Sequence, residues 1–127
     1  MADRKAIHTD TAPAAIGPYS QAIQTGNLVF ISGQIPLDPT TMELAGDEIE
    51  EQTHQVFLNL KEVARAAGAD LNNAVKLTIY LTDLSQFAAV NGVMASYLDE
   101  PYPARATIEI SALPKGAKVE IDAVLAI

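Results

Sequence analysis

Apolar and polar residues alternate along several stretches of this chain and recur at helical spacing in two others. Leu28, Phe30 and Ser32 fall on one side of an extended segment, with Val29 and Ile31 on the other. The run Tyr19 to Thr25 precedes it, and Gly26-Asn27 lies between. Two β-prone runs around such a pair predict a hairpin with a two-residue turn. Pro36-Leu-Asp-Pro39-Thr-Thr is turn chemistry. Asp47 to Gly68 reads as the first helix. Ile49, Val56, Leu60, Val63 and Ala67 share a stripe, and Asp47 with Glu50 predicts a capping box. Glu48, Glu50 and Glu51 sit at the positive end of the helix dipole, Lys61 and Arg65 nearer the negative end, and Gly68 supplies a left-handed stop. Val75, Leu77, Ile79 and Leu81 then alternate with Lys76, Thr78, Tyr80 and Thr82 as a strand. Asp83 with Gln86 opens a second helix to about Leu98, striped by Leu84, Phe87, Val90, Met94 and Tyr97 or Leu98; Pro101 and Pro103 prevent its continuation. Arg105 to Ile110 alternates again. Lys118 to Ile127 is the last strand, and its apolar end predicts a central or covered position.

The order hairpin, α, β, α, β, β implies a two-layer α+β domain, two helices covering one face of a sheet of four or more strands. Apolar residues on both sides of the strands favour a partner on the other face, hence a homo-oligomer. At 127 residues the chain fits a single domain, 1–127, large enough to fold without a metal or disulfide staple. It has no Cys, which excludes a thiol nucleophile, a zinc-thiolate site and an iron–sulfur cluster. Sixteen acidic residues against eight basic ones give a net charge of −8, which repels phosphate backbones. Met-Ala-Asp-Arg-Lys leads into no apolar signal core, and the longest uncharged run, Thr11 to Leu37, is broken by glycines and prolines. The expectation is a soluble, cytoplasmic protein.

Candidate chemistry is sparse. There is no GxSxG elbow, dinucleotide fingerprint or P-loop. His8 and His54, the only histidines, lack metal-ligand spacing, so no metal site is expected. Arg105 stands at the start of a strand among small residues. It can present its planar fork to a carboxylate, or pair with Glu109, Glu120 or Asp122 as an ordinary strand-edge residue. Glu120 sits mid-strand between Val119 and Ile121, where a carboxylate is costly unless paired or used. It is either a general base or a cross-strand partner for Arg105 or Lys118. Asn91, near the apolar stripe of the second helix, is a polar pocket contact or a helix-edge residue. Tyr19, after Gly17-Pro18, is a pocket wall or a core aromatic.

Pro103-Ala-Arg105-Ala-Thr-Ile-Glu-Ile-Ser-Ala-Leu, followed after Pro-Lys-Gly-Ala-Lys by Val119-Glu120-Ile121, resembles the C-terminal motif of the RidA (YjgF) family, the reactive intermediate deaminases. Ala14-Ala-Ile-Gly-Pro-Tyr19-Ser-Gln resembles its N-terminal motif, and Ile31-Ser-Gly-Gln-Ile-Pro36 its second strand and turn. Gln52-Thr-His-Gln with Asn59-Leu60, and Asp83-Leu with Phe87 and Val90-Asn91, resemble its two helices. The likeness covers nearly the whole chain. It implies a chorismate-mutase-like fold, a mixed, mostly antiparallel sheet with two helices on one face. It also implies a homotrimer with active sites in the clefts between subunits.

The activity implied is hydrolysis of 2-iminobutanoate and 2-iminopropanoate, released by pyridoxal-phosphate enzymes, to 2-oxo acids and ammonia without a cofactor. On this resemblance Arg105 grips the substrate carboxylate, the backbone N–H of Thr107 assists, and Glu120 activates the attacking water. Tyr19, Ser32, Gly33 and Asn91 complete the pocket. Arg105 and Glu120 are then expected to converge in one crevice where protomers meet. The chain departs from relatives that have Gly in the turn where it has Met42, and from those with Cys where it has Thr107. Two other readings compete: a non-catalytic trimeric small-carboxylate-binding or chaperone-like protein, and an RNA-directed ribonuclease or translation inhibitor, which the charge opposes.

Overall fold

In the computed structural model, residues 3–127 are described; Met1 and Ala2 of the amino-terminal run lie outside them. Six strands form one sheet: β1 (Lys5–Ile7), β2 (Ala22–Thr25), β3 (Leu28–Gln34), β4 (Ala74–Leu81), β5 (Ala104–Glu109) and β6 (Val119–Ala126). Their order is β1-β2-β3-β6-β4-β5, antiparallel throughout except for the parallel β4–β5 pair. The helices are α1 (Ile49–Ala66) and α2 (Phe87–Ala95). This is the expected α+β, two-layer arrangement on a mixed, mostly antiparallel sheet. None of the helices among the described residues is long and apolar enough to cross a membrane.

The hairpin forms where expected. Thr25 pairs with Leu28 across Gly26-Asn27, and Gly26 takes φ +57°, the left-handed conformation such a turn requires. β2 starts at Ala22 rather than Tyr19, and β3 continues to Gln34. β1, only three residues long in a polar start, was too short to show a period. β6 is central, between β3 and β4, as its apolar end suggested. Val119, Ile121 and Leu125 are fully buried beneath Val56, Leu60 and Val63 of α1 and beside Leu77, Ile79 and Leu81 of β4. Each such side chain is worth about 1.5–3 kcal/mol of burial.

Three local expectations shift. α1 begins one turn-position later than the Asp47/Glu50 box implied. Glu48 precedes it, and its N–H donates to Glu51 Oε1 at 3.3 Å, while the Asp47 carbonyl accepts from the Lys118 ammonium. The Asp83 carboxylate accepts from Ser85 N–H (3.0 Å) and Oγ (2.6 Å). A 3₁₀ turn, Leu84–Gln86, therefore comes before α2, and Leu84 is exposed rather than part of the stripe. α2 ends at Ala95, short of Leu98, where the Ser96 hydroxyl takes the Val93 carbonyl. Val75 is also exposed. Ala74 pairs with Leu125 and Lys76 with Val124, so Val75 is the extra residue of a bulge and leaves the buried face.

Buried polar side chains of α1 fix the loops beside the sheet. Gln52 donates to the Gly46 carbonyl (2.9 Å) and accepts from Lys118 N–H (2.8 Å), tying down the start of β6. Asn59 donates to the Leu37 carbonyl at 3.0 Å. The Met42 turn holds φ +60°, so methionine adopts the left-handed backbone that glycine takes more cheaply.

Candidate active site

Register decides which candidate groups can meet. In β6, Val119, Ile121 and Ala123 face the helices, so Glu120 and Asp122 point to the far side of the sheet. Glu120 lies opposite Tyr80 of β4. A bulge in β3 adds a residue between the pairs Ile31–Ala123 and Gln34–Ile121, which brings Ser32-Gly33 beside Glu120. The fit is close: a Cβ on Gly33 would stand 2.6 Å from Glu120 Oε2. The Ser32 hydroxyl donates to the Ser20 carbonyl at 2.6 Å. Gln21 is buried, exchanging hydrogen bonds with the Thr9 backbone (2.7 and 3.0 Å) and donating to the Pro13 carbonyl (2.9 Å). These bonds seat the segment that carries Tyr19, whose ring is 53% exposed.

Tyr19, Ser32, Gly33 and Glu120 thus line one cleft of about 560 Å³, rimmed by Met42 and Lys115. Burial, reinforced by the neighbouring Asp122 charge, raises the Glu120 carboxyl above its ordinary value. Neither Arg105 nor Lys118 pairs with it: the Lys118 ammonium is turned to the Asp47 carbonyl.

Arg105, Asn91 and Thr107 form a second group. Arg105 pairs with Leu77 and Thr107 with Ile79, both residues of the helix-facing side of β4. The Arg105 guanidinium therefore lies under α2, where it donates to Asn91 Oδ1, stands 4.8 Å from the centre of the Phe87 ring and lies 3.8 Å from the Met94 sulfur. Arg105, Asn91 and Met94, with Ala95, Tyr102 and Pro103, line a cleft of about 460 Å³. The strand-edge ion pair weighed for Arg105 does not form among the described residues, where Glu109 accepts from Leu84 N–H (2.9 Å) instead. Thr107 Oγ1 is buried without a hydrogen-bond partner.

Within one chain Arg105 and Glu120 do not converge. They stand two strands and three residues apart, roughly 14 Å between backbones, and point to opposite faces. One chain therefore carries two half-sites: an acid–base cleft and a cationic, aromatic-backed cleft. Phe87 and Met94 escaped the sequence reading as site residues because they belong to the apolar stripe of α2. The signal was Phe87 and Asn91 one helical turn apart. Tyr80 and Asp122, beside Glu120, looked like the wet face of two strands.

A family profile described as endoribonuclease L-PSP matches residues 9–127. The chain is 55% identical to Protein DfrA of Myxococcus xanthus over 95% of this chain and 94% of that one. It is 46% identical to the 2-iminobutanoate/2-iminopropanoate deaminase of Mus musculus, covering 95% of this chain and 90% of the mouse protein. The crystal structure of RidA from an Antarctic Psychrobacter species superposes with a TM-score of 0.94 at 53% identity, over 97% of this chain and 99% of that one.

Proposed function

The chain belongs to the RidA (YjgF) family, and from that premise we propose that it hydrolyses 2-imino acids, 2-iminobutanoate and 2-iminopropanoate, to 2-oxo acids and ammonia. The observation that carries this reading is the half-buried Glu120, its carboxyl raised by burial and Asp122, closing a cleft beside Gly33. A carboxylate so placed takes a proton from water more readily than an ordinary glutamate does.

The chemistry needs little else. The imine carbon is already electrophilic, so orientation supplies much of the effect. Arg105 grips the substrate carboxylate with its fork, and Asn91 and Phe87 hold the guanidinium plane. The main-chain N–H of Thr107 assists that grip. Water attacks the carbon of the protonated imine as Glu120 takes one of its protons, and the new C–O bond leaves a neutral carbinolamine. Glu120 returns that proton to nitrogen and then takes the hydroxyl proton as the C–N bond breaks and the C=O bond forms; the 2-oxo acid and ammonia depart, the last proton passing from Glu120 to ammonia.

Because the two half-sites of one chain face apart, the reaction on this reading occurs between copies. Arg105 of one protomer meets Glu120 of the next in a homotrimer, each copy contributing to two sites. Enzymes that release such imines, pyridoxal-phosphate dehydratases among them, are the upstream partners. An RNA-directed activity fits the charge of −8 poorly, and the two histidines are engaged separately, His8 with Asp10 and His54 with Tyr97.

The test is direct. Purified protein is added to a dehydratase generating 2-iminobutanoate, and imine decay is followed. Accelerated decay with matching ammonia release is the expected outcome; decay at the buffer rate overturns the assignment.

A further inference from the structure

The far face of β6 carries a second carboxylate, Asp122, two residues beyond Glu120, which takes no step in the proposed reaction. Tyr80 of β4 lies opposite Glu120, and Thr78 lies opposite Asp122. The Tyr80 hydroxyl nevertheless reaches diagonally past Glu120 and donates to Asp122 Oδ2 at 3.0 Å. The three side chains form one cluster on a surface whose other strand neighbour, β3, offers only Ser32 and Gly33.

We propose that Tyr80 and Asp122 are positioning residues for Glu120: the hydroxyl pins the Asp122 carboxylate on the same face two residues along the strand, so that a fixed negative charge stands beside the base. This rests on reading Glu120 as the base of the reaction. The charged and titratable groups around Glu120 are few. On β6 they are Lys118 and Asp122, on β4 Tyr80, and in the lining of the cleft Tyr19 and Lys115. The Lys118 ammonium is held by the Asp47 carbonyl and that of Lys115 by the Met42 carbonyl at 3.4 Å. Within one chain Asp122 is thus the charge that acts on Glu120, while in the proposed trimer Arg105 of the neighbouring copy faces Glu120 as well and acts in the opposite sense. The coupling is mutual. Burial first, then Asp122, then the Glu120 charge hold the Tyr80 hydroxyl above its usual value, which favours its role as a donor to Asp122.

The experiment is a carboxyl-carbon NMR titration of Glu120 in the full chain, in wild type, Asp122→Asn and Tyr80→Phe. The Glu120 midpoint is expected to move to lower pH in Asp122→Asn, and in the same direction by less in Tyr80→Phe, where the carboxylate remains but swings free. The acid limb of the kcat/KM pH profile follows the same order. A purely structural role lowers the melting temperature and leaves the midpoint in place, and that result overturns the proposal. An unmoved midpoint in Tyr80→Phe alone removes Tyr80 from it. Should the midpoints move while wild type releases no ammonia, the deaminase reading fails and the electrostatic unit stands.

Discussion

Strands β6 and β5 each carry one of the two groups the proposed chemistry needs, and they are opposite in kind. β6 is paired on both edges, every second residue is buried under α1, and Glu120 shares its open face with Asp122 and Tyr80. β5 has a single neighbour, and only Thr107 along it is better than exposed. On the proposed chemistry the base stands on the drier central strand, and the cation that grips the substrate carboxylate stands on the exposed edge strand, held by Asn91 and Phe87. The same sheet thus supplies two dielectric settings a few strands apart.

The sharpest way to break this pairing is to remove each group and then mix the products. Glu120→Gln is expected to lose about 10²–10⁴-fold in turnover, with Arg105→Ala also strongly impaired. Subunits of the two variants, unfolded and refolded together in equal amounts, should regain about one quarter of wild-type activity if each site draws Arg105 and Glu120 from different copies in a closed ring. Ammonia release by the mixture measures it, and no recovery means that the two groups do not meet across an interface. Next in size is a contrast in packing. Ile121→Ala on β6 should cost about 2–5 kcal/mol in urea unfolding, whereas Ile108→Ala on β5, 45% exposed, should stay within about 0.5 kcal/mol. Similar costs would mean the strands are not the different environments described.

Gly33→Ala probes the Glu120 cleft without replacing either charged group. Its Cβ displaces only the flexible end of Glu120, so the melting temperature should hold while turnover falls about 10²-fold. A loss of fold instead would place the constraint in the backbone of the β3 bulge. The smallest effect is expected at Thr107→Val, which deletes the buried, unpartnered Oγ1 of β5. Stability should rise by about 1 kcal/mol, and activity should stay within about twofold if, as proposed, the main chain makes the substrate contact. A large activity loss would assign the hydroxyl a direct role.

Glu120 also gives pH dependence a sign. Its folded-state carboxyl is raised, so the folded chain favours the protonated form, and that contribution is present at low pH and lost as pH climbs through the raised value. Glu120→Gln should therefore melt higher than wild type at neutral pH, with the gap closing in acid.

Much of this was legible beforehand. Alternation placed Arg105 and Glu120 on strands, the apolar end of β6 pointed to a central or covered position, and Gly26-Asn27 fixed the hairpin. What alternation cannot give is how strands register against one another. The opposite facing of Arg105 and Glu120 depends on β4 lying between β5 and β6, parallel to one and antiparallel to the other. Buried Gln21, Gln52 and Asn59 were equally invisible, because a polar residue buried to satisfy loop carbonyls has the same letter as one at the surface. The first capping box slipped by one residue because two neighbouring acids, Asp47 and Glu48, suit the same role, and Glu48 with Glu51 takes it.

The Lys115–Met42 bond joins residues 73 positions apart, and both hold left-handed backbone although neither is glycine. Each such residue costs about 1–2 kcal/mol and persists only while its surroundings over-determine it. The lip of the Glu120 cleft is therefore expected to slacken early on warming. Catalytic competence on this side should fade some degrees before the sheet itself gives way.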